Sequence, residues 1–203
     1  MAIANNQFAS PTIGRTRPND SNIVGSVPAT AATGLVTGLS VAEYGQLDVV
    51  RKTVFTFTNY PLAYVRTSAS ISANSGSNNP GRVYTFPEGV IQVVGAVANL
   101  VATTPFATSA GFIMSVGTVQ AAADATLTST EANIIASTAT AVASSTGTFV
   151  GTPISTYISP LNGSSTAINL YVNAATADDT TSSGNITLNG TVTITWIPLG
   201  DNT

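Results

Sequence analysis

The sequence predicts an all-β fold, a β-sandwich of jelly-roll-like type, with an extended N-terminal arm. Two observations lead there. Short runs of β-branched and aromatic residues recur between clusters of Gly, Pro, Asn and Ser, and only one brief stretch carries a helix signal. The closing segment alternates strictly, with Ile186, Leu188, Val192, Ile194 and Trp196 on one side and Thr187, Asn189, Thr191, Thr193 and Thr195 on the other. That period of two marks a strand with one face in a core. Many short strands with frequent turns and almost no helix point to a sandwich, and among sandwiches to a jelly roll.

Residues 1–45 hold Pro11, Gly14, Pro18, Gly25, Pro28, Gly34, Gly38 and Gly45 with no sustained period. Such spacing opposes both helix and central strand, so this stretch is expected to be an extended arm and 46–203 the β-domain. Strands are expected at Thr53–Thr58, ending at Asn59-Tyr60-Pro61, and at Leu62–Ser70. Residues 73–81 form a loop rich in Ser, Asn and Gly, followed by a strand from Arg82 to Phe86 and a turn at Pro87-Glu88-Gly89.

Val90–Val101 is apolar on both sides, as in a buried strand or strand pair, and Gly95 with Val and Ile enrichment argues against a buried helix. A strand follows at Gly111–Val119. Thr128-Ser129-Thr130-Glu131 has the Thr-x-x-Glu spacing of a capped helical turn, in which the carboxylate reaches back to the first N–H. Further strands are expected at Gly147–Val150, Ala167–Asn173 and Asn185–Ile197, the last spanning about 40 Å at ~3.3 Å per residue. Gly190 interrupts its apolar row, where a bend or bulge is expected.

Composition limits the chemistry. The chain of 203 residues has no His and no Cys, which removes a His-dependent triad, a zinc site of His or Cys ligands, a redox dithiol and a disulfide. Charged residues make up 7% of the chain, against about 25% in average globular proteins, so solubility must come from Thr, Ser and Asn. A chain with so little charge repulsion tends to self-associate, so a partner or a homo-oligomer is expected.

The charges are divided. All six cations (Arg15, Arg17, Arg51, Lys52, Arg66, Arg82) precede residue 83, with Asp20, Glu43 and Asp48 as the acids of that part. After it come only acids: Glu88, Asp124, Glu131, Asp178, Asp179 and Asp201. Scattered cations make a poor nucleic-acid footprint, so none is expected as a partner. An acidic protein neighbour suits them better, and Arg15 and Arg17 on the arm are the candidate docking residues.

No cofactor or metal site is expected: phosphate-loop and dinucleotide fingerprints are absent, and Asp178-Asp179 lacks the spacing of a calcium loop. The one enzymatic scheme left by the inventory is a carboxylate pair for glycoside hydrolysis, drawn from Glu43, Asp48, Glu88, Asp124 and Glu131. Sugar clefts also need stacking aromatics, and Trp196 falls in an inward row, so no enzyme activity is expected. The N-terminus shows neither a basic nor an apolar export segment. Val90–Ala102, broken by Gln92 and Asn99, falls short of the ~20 apolar residues of a membrane span. Synthesis in a cytoplasm without a membrane partner is the expectation.

The successions Arg51–Thr58, Tyr84-Thr85-Phe86-Pro87-Glu88-Gly89-Val90–Ala96, Ser115-Val116-Gly117-Thr118-Val119, Asp124–Ile135 and Gly190–Ile197 resemble virion structural proteins of tailed bacteriophages. The resemblance covers residues 51–197 and rests on packing motifs. It implies a head decoration, or cement, protein on the capsid exterior that bridges neighbouring major capsid proteins, as a homotrimer ahead of a dimer. The alternative is a receptor- or carbohydrate-binding module of a tail fibre or adhesin, for which Tyr60, Tyr64 and Tyr157 would cluster on an exposed rim.

Overall fold

The computed structural model describes residues 38–45, 50–63, 65–67, 70–72, 82–104, 112–121, 126–140, 146–151, 159–176 and 185–200. Twelve strands run through them: β1 (Leu39–Gly45), β2 (Arg51–Ala63), β3 (Val65–Thr67), β4 (Ser70–Ser72), β5 (Arg82–Thr85), β6 (Gly89–Thr103), β7 (Phe112–Gly117), β8 (Ile135–Thr140), β9 (Thr146–Gly151), β10 (Leu161–Gly163), β11 (Asn169–Thr176) and β12 (Asn185–Gly200). The helix content of the described residues is one 3-10 turn, Ser129–Glu131.

The strands make two six-stranded antiparallel sheets. Sheet A has the order β1-β2-β12-β6, with β9 and β10 on different stretches of the free side of β6. Sheet B has the order β4-β11-β7-β8, with β3 outside β4 and β5 beside β11. The pairings are nested along the chain: β2 with β12, β4 and β5 with β11, β6 with β9, and β7 with β8.

One core draws on both sheets. Phe55, Val93, Leu100, Val192 and Trp196 of sheet A are buried with Val83, Tyr84, Met114, Val116 and Val172 of sheet B. Edge-to-face rings join the two: Phe55 with Tyr84 at 5.5 Å and Phe86 with Trp196 at 5.3 Å between centroids. The alternation in β12 sets this arrangement, its apolar row facing the core and its threonines facing outward.

Gly190 does mark an irregularity. The β2–β12 register shifts between Leu188 and Gly190, where Thr58 and Asn59 together oppose Asn189; Gly190 has φ +124° and Asn59 φ 51°. The Asn59 N–H donates to Asn189 Oδ1 at 2.8 Å, which ties the two strands at the bulge.

Three expectations need correction. β2 does not end at Asn59 but continues to Ala63, because Asn tolerates a left-handed backbone and Pro61 lies beyond Phe57, the last β2 residue paired with β1. The stretch Leu39–Gly45, placed by the sequence in the arm, is strand β1, paired with β2 from Leu39↔Phe57 to Gly45↔Arg51. β6 is a single strand of 15 residues and is not buried on both faces: Val94, Val97 and Val101 are exposed. The rest of the arm, with Arg15 and Arg17, lies outside the described residues.

Candidate interaction surface and the polar cluster behind it

The outer sides of the two sheets differ. On sheet B the outward residues of β7 and β11 are Ile113, Ser115, Gly117, Tyr171, Asn173 and Ala175, and the chain segments 118–121 and 126–134 lie over them. Asn173 holds it there: its Nδ2 donates to the carbonyls of Val119 (3.0 Å) and Glu131 (2.8 Å), and its Oδ1 accepts from the Ala121 N–H (2.9 Å). Ser115 Oγ donates to the same Glu131 carbonyl at 2.8 Å. Ala121 and Leu127 complete a small apolar cluster with Ala175 and Ile113.

The capped turn read from Thr128 and Glu131 is the anchor of this cover. The Glu131 carboxylate accepts the Thr128 N–H at 3.0 Å, as the spacing predicts. Gly117 allows the close approach, since a Cβ there would run into the backbone of Thr130 and Glu131.

Sheet A carries no such cover among the described residues. Cross-strand neighbours form two rows on its outer side: Ala42, Val54, Thr193 and Val97, then Ser40, Thr56, Thr191, Asn99 and Val150. Val97 is 55% and Val150 62% exposed, with Val101 and Val94 beside them. Lys52 is the one charge and Tyr44 the one aromatic on this face among the described residues. The surface is β-branched, hydroxyl-bearing and nearly uncharged. The sequence hides this face because apolar residues on both sides of Val90–Val101 read as a strand buried on both faces; the polar Asn99 between Val97 and Val101 is the available sign of an outward row.

Behind this face, at the Arg51 end of the core, lies a buried polar cluster that joins the sheets. Glu43 on β1 is 8% exposed and points inward, opposite Thr53. The Tyr84 hydroxyl of sheet B donates to Glu43 Oε1, and Arg51 Nη1 stands 3.5 Å from Glu43 Oε2. The guanidinium lies 5.3 Å from the centre of the Trp196 ring directly across the strand pair, and Trp196 Nε1–H donates to Thr53 Oγ1 at 2.9 Å. Burial pushes the Glu43 carboxyl above the usual carboxylate range, against the smaller opposing pull of Arg51.

The structure also places the remaining candidates. Trp196 is fully buried, as core packing required. Tyr60 is fully buried as well, packed edge-to-face on Phe57, and its hydroxyl pKa is raised by that burial. It is therefore not a rim residue; Tyr64 and Tyr157 fall outside the described residues. Of the five carboxylates considered for a hydrolytic pair, Glu43 lies between the sheets, Glu131 on the outer side of sheet B, and Glu88 is exposed. Asp48, Asp124 and the Asp178-Asp179 pair are outside the described residues, as are Arg15 and Arg17.

No group of three or more Asp or Glu that could hold a metal ion occurs among the described residues. No described helix is long and apolar enough to cross a membrane. No family model, curated protein or solved structure matches the chain.

Proposed function

We propose that the chain is a capsid decoration subunit: a jelly-roll β-sandwich made in the host cytoplasm that assembles as a homotrimer, binds the outside of a phage head and strengthens contacts between major capsid proteins. The nested pairings favour the jelly-roll reading. Counting β4 and β5 as one position, and leaving out the edge strand β1 and the three-residue strands β3 and β10, eight successive strands pair first with last, second with seventh, third with sixth and fourth with fifth. Rolling such an antiparallel ribbon into two layers leaves the first, eighth, third and sixth side by side in one sheet, the order found in sheet A.

The observation that carries the functional reading is the outer side of sheet A, which no described residue covers. A surface of Val and Thr with a single charge among its described residues can be removed from water at little desolvation cost. Each 1,000 Å² of apolar area covered contributes up to about 25 kcal/mol before association costs, so many copies on a shell add up. The mechanism is covered area; it needs no reacting group. A glycan-binding module would ask for stacking aromatics, and among the described residues Tyr44 alone stands on this face.

The test is the double variant Val97→Lys/Val150→Lys. Both side chains point into water, so the melting curve is expected to stay within about 0.5 kcal/mol of the wild type. Occupancy on purified heads, read by electron microscopy, is expected to fall together with the heat resistance of the heads. Wild-type density confined to the tail, or full head occupancy by the double variant, would overturn the proposal.

A further inference from the structure

We propose that Glu43 is a proton-operated latch on the edge strand β1, holding that strand more firmly against sheet B when its carboxyl is protonated than when it is charged. β1 ends sheet A, is hydrogen-bonded along one side only among the described residues, and presents Val41 and Glu43 to the interior. An inward carboxylate at a core position of an edge strand is a costly choice, since an apolar residue would pack there without loss of hydration. Glu43 is moreover the residue through which β1 reaches the opposite sheet, by way of the Tyr84 hydroxyl.

Among the described residues the groups that face it are few. From β2 come Arg51 and Thr53, from β5 Tyr84, with Arg82 two positions along that strand, and from β12 the Trp196 ring. Lys52 and Tyr44 point to the other side of the sheet. Arg51 pulls the other way but less strongly: its Nη1 stands 3.5 Å from Oε2, longer than a charge-assisted hydrogen bond, while the guanidinium lies over Trp196. Burial therefore dominates, and the docked strand binds a proton more tightly than the undocked one.

The sign follows by linkage. The carboxyl of undocked β1 has the ordinary value of 4.5, and that of docked β1 a higher one. Docking is firmest below 4.5, weakens as pH rises towards the raised value, and is level above it. Within that window one proton changes the opening equilibrium by about tenfold per pH unit.

Hydrogen exchange resolved by mass spectrometry on the full chain reads this directly, with β12 amides as internal reference and rates corrected for the intrinsic pH dependence. Protection of residues 39–45 is expected to fall about tenfold per pH unit through the window and then level off. Glu43→Gln, which mimics the protonated form, is expected to hold the acid level of protection at every pH. Tyr84→Phe, which removes the donor but keeps the ring, is expected to move the fall to higher pH, because the charged form loses its hydrogen bond. Protection of β1 that rises with pH, a wild-type slope in Glu43→Gln, or an unmoved midpoint in Tyr84→Phe would each overturn the latch. Should Glu43→Gln fail to fold, the wild-type profile and Tyr84→Phe decide.

Discussion

Replacing Gly190 by Ala tests whether the central strand pair depends on the bulge. At φ +124° an L side chain is strained wherever it points, and strain of this kind costs about 1–3 kcal/mol. Here it also points badly: the added methyl would run into the Asn99 carbonyl oxygen, with Leu100 Cα at 3.1 Å and Asn99 C at 3.2 Å. Those atoms belong to β6, directly paired with Gly190 (Gly190↔Leu100), so relief requires moving the backbone of the two longest strands apart. Overpacking of that sort adds about 1–3 kcal/mol.

The sum, about 4 kcal/mol from mid-range values, corresponds to a Tm lower by about 8–16 °C in a chain of this size. Thermal and urea melts followed by far-ultraviolet circular dichroism measure it. Gly95→Ala is the control on the neighbouring strand, because the nearest atom to its added methyl is Thr195 Cβ at an ordinary 3.8 Å. It is expected to be neutral or to stabilise by up to about 1 kcal/mol. A wild-type melt for Gly190→Ala, or an equal loss in Gly95→Ala, would refute the reasoning.

Two further variants probe the buried polar groups. Thr53→Val keeps the shape but removes the acceptor of the Trp196 indole N–H, and is expected to cost about 1–3 kcal/mol in urea denaturation, with Thr53→Ser restoring most of it. Asn173→Ala removes the bonds to Ala121, Val119 and Glu131, and is expected to cost a similar amount, about 1–3 kcal/mol, while hydrogen exchange speeds up at residues 118–121 and stays slow in β12.

Where one face alone carried the apolar row, the strand was legible. β12 could be read because its core side is Ile, Leu, Val and Trp and its water side is Thr, and Gly190 stood out as the gap in that row. The turn at Ser129–Glu131 was legible because its cap is a local hydrogen bond between residues three apart. β1 was not, since Glu43 occupies the position where alternation called for an apolar residue and two glycines bracket the strand. β8, Ile-Ala-Ser-Thr-Ala-Thr, has small side chains and a largely exposed middle, so its strand is fixed by pairing with β7 and carries no pattern of its own. β10 is three residues long and is held by β6. The valines of β6 mark a limit of another kind. Hydropathy says that a second apolar side exists but not whether the chain folds back over it, and among the described residues sheet B is covered by 118–121 and 126–134 while sheet A has no such cover.

The division of charge along the chain takes a different meaning in the folded state. From the sequence, the cations before residue 83 looked available to an acidic neighbour. Arg51 instead meets Glu43, an acid from the same basic half, inside the core end of sheet A. Glu131, from the acidic half, turns its carboxylate back to the Thr128 N–H of its own turn. These groups leave the surface and act locally. An inward charge on an edge strand also discourages another strand from adding there, because a register slip of one residue would move the carboxylate and its partners to opposite faces. A protein that relies on Thr and Val for its surface has little charge with which to repel unwanted strands. On this account the few charges it has are best placed where a wrong pairing would cost most, and the edge next to the exposed valine face is such a place.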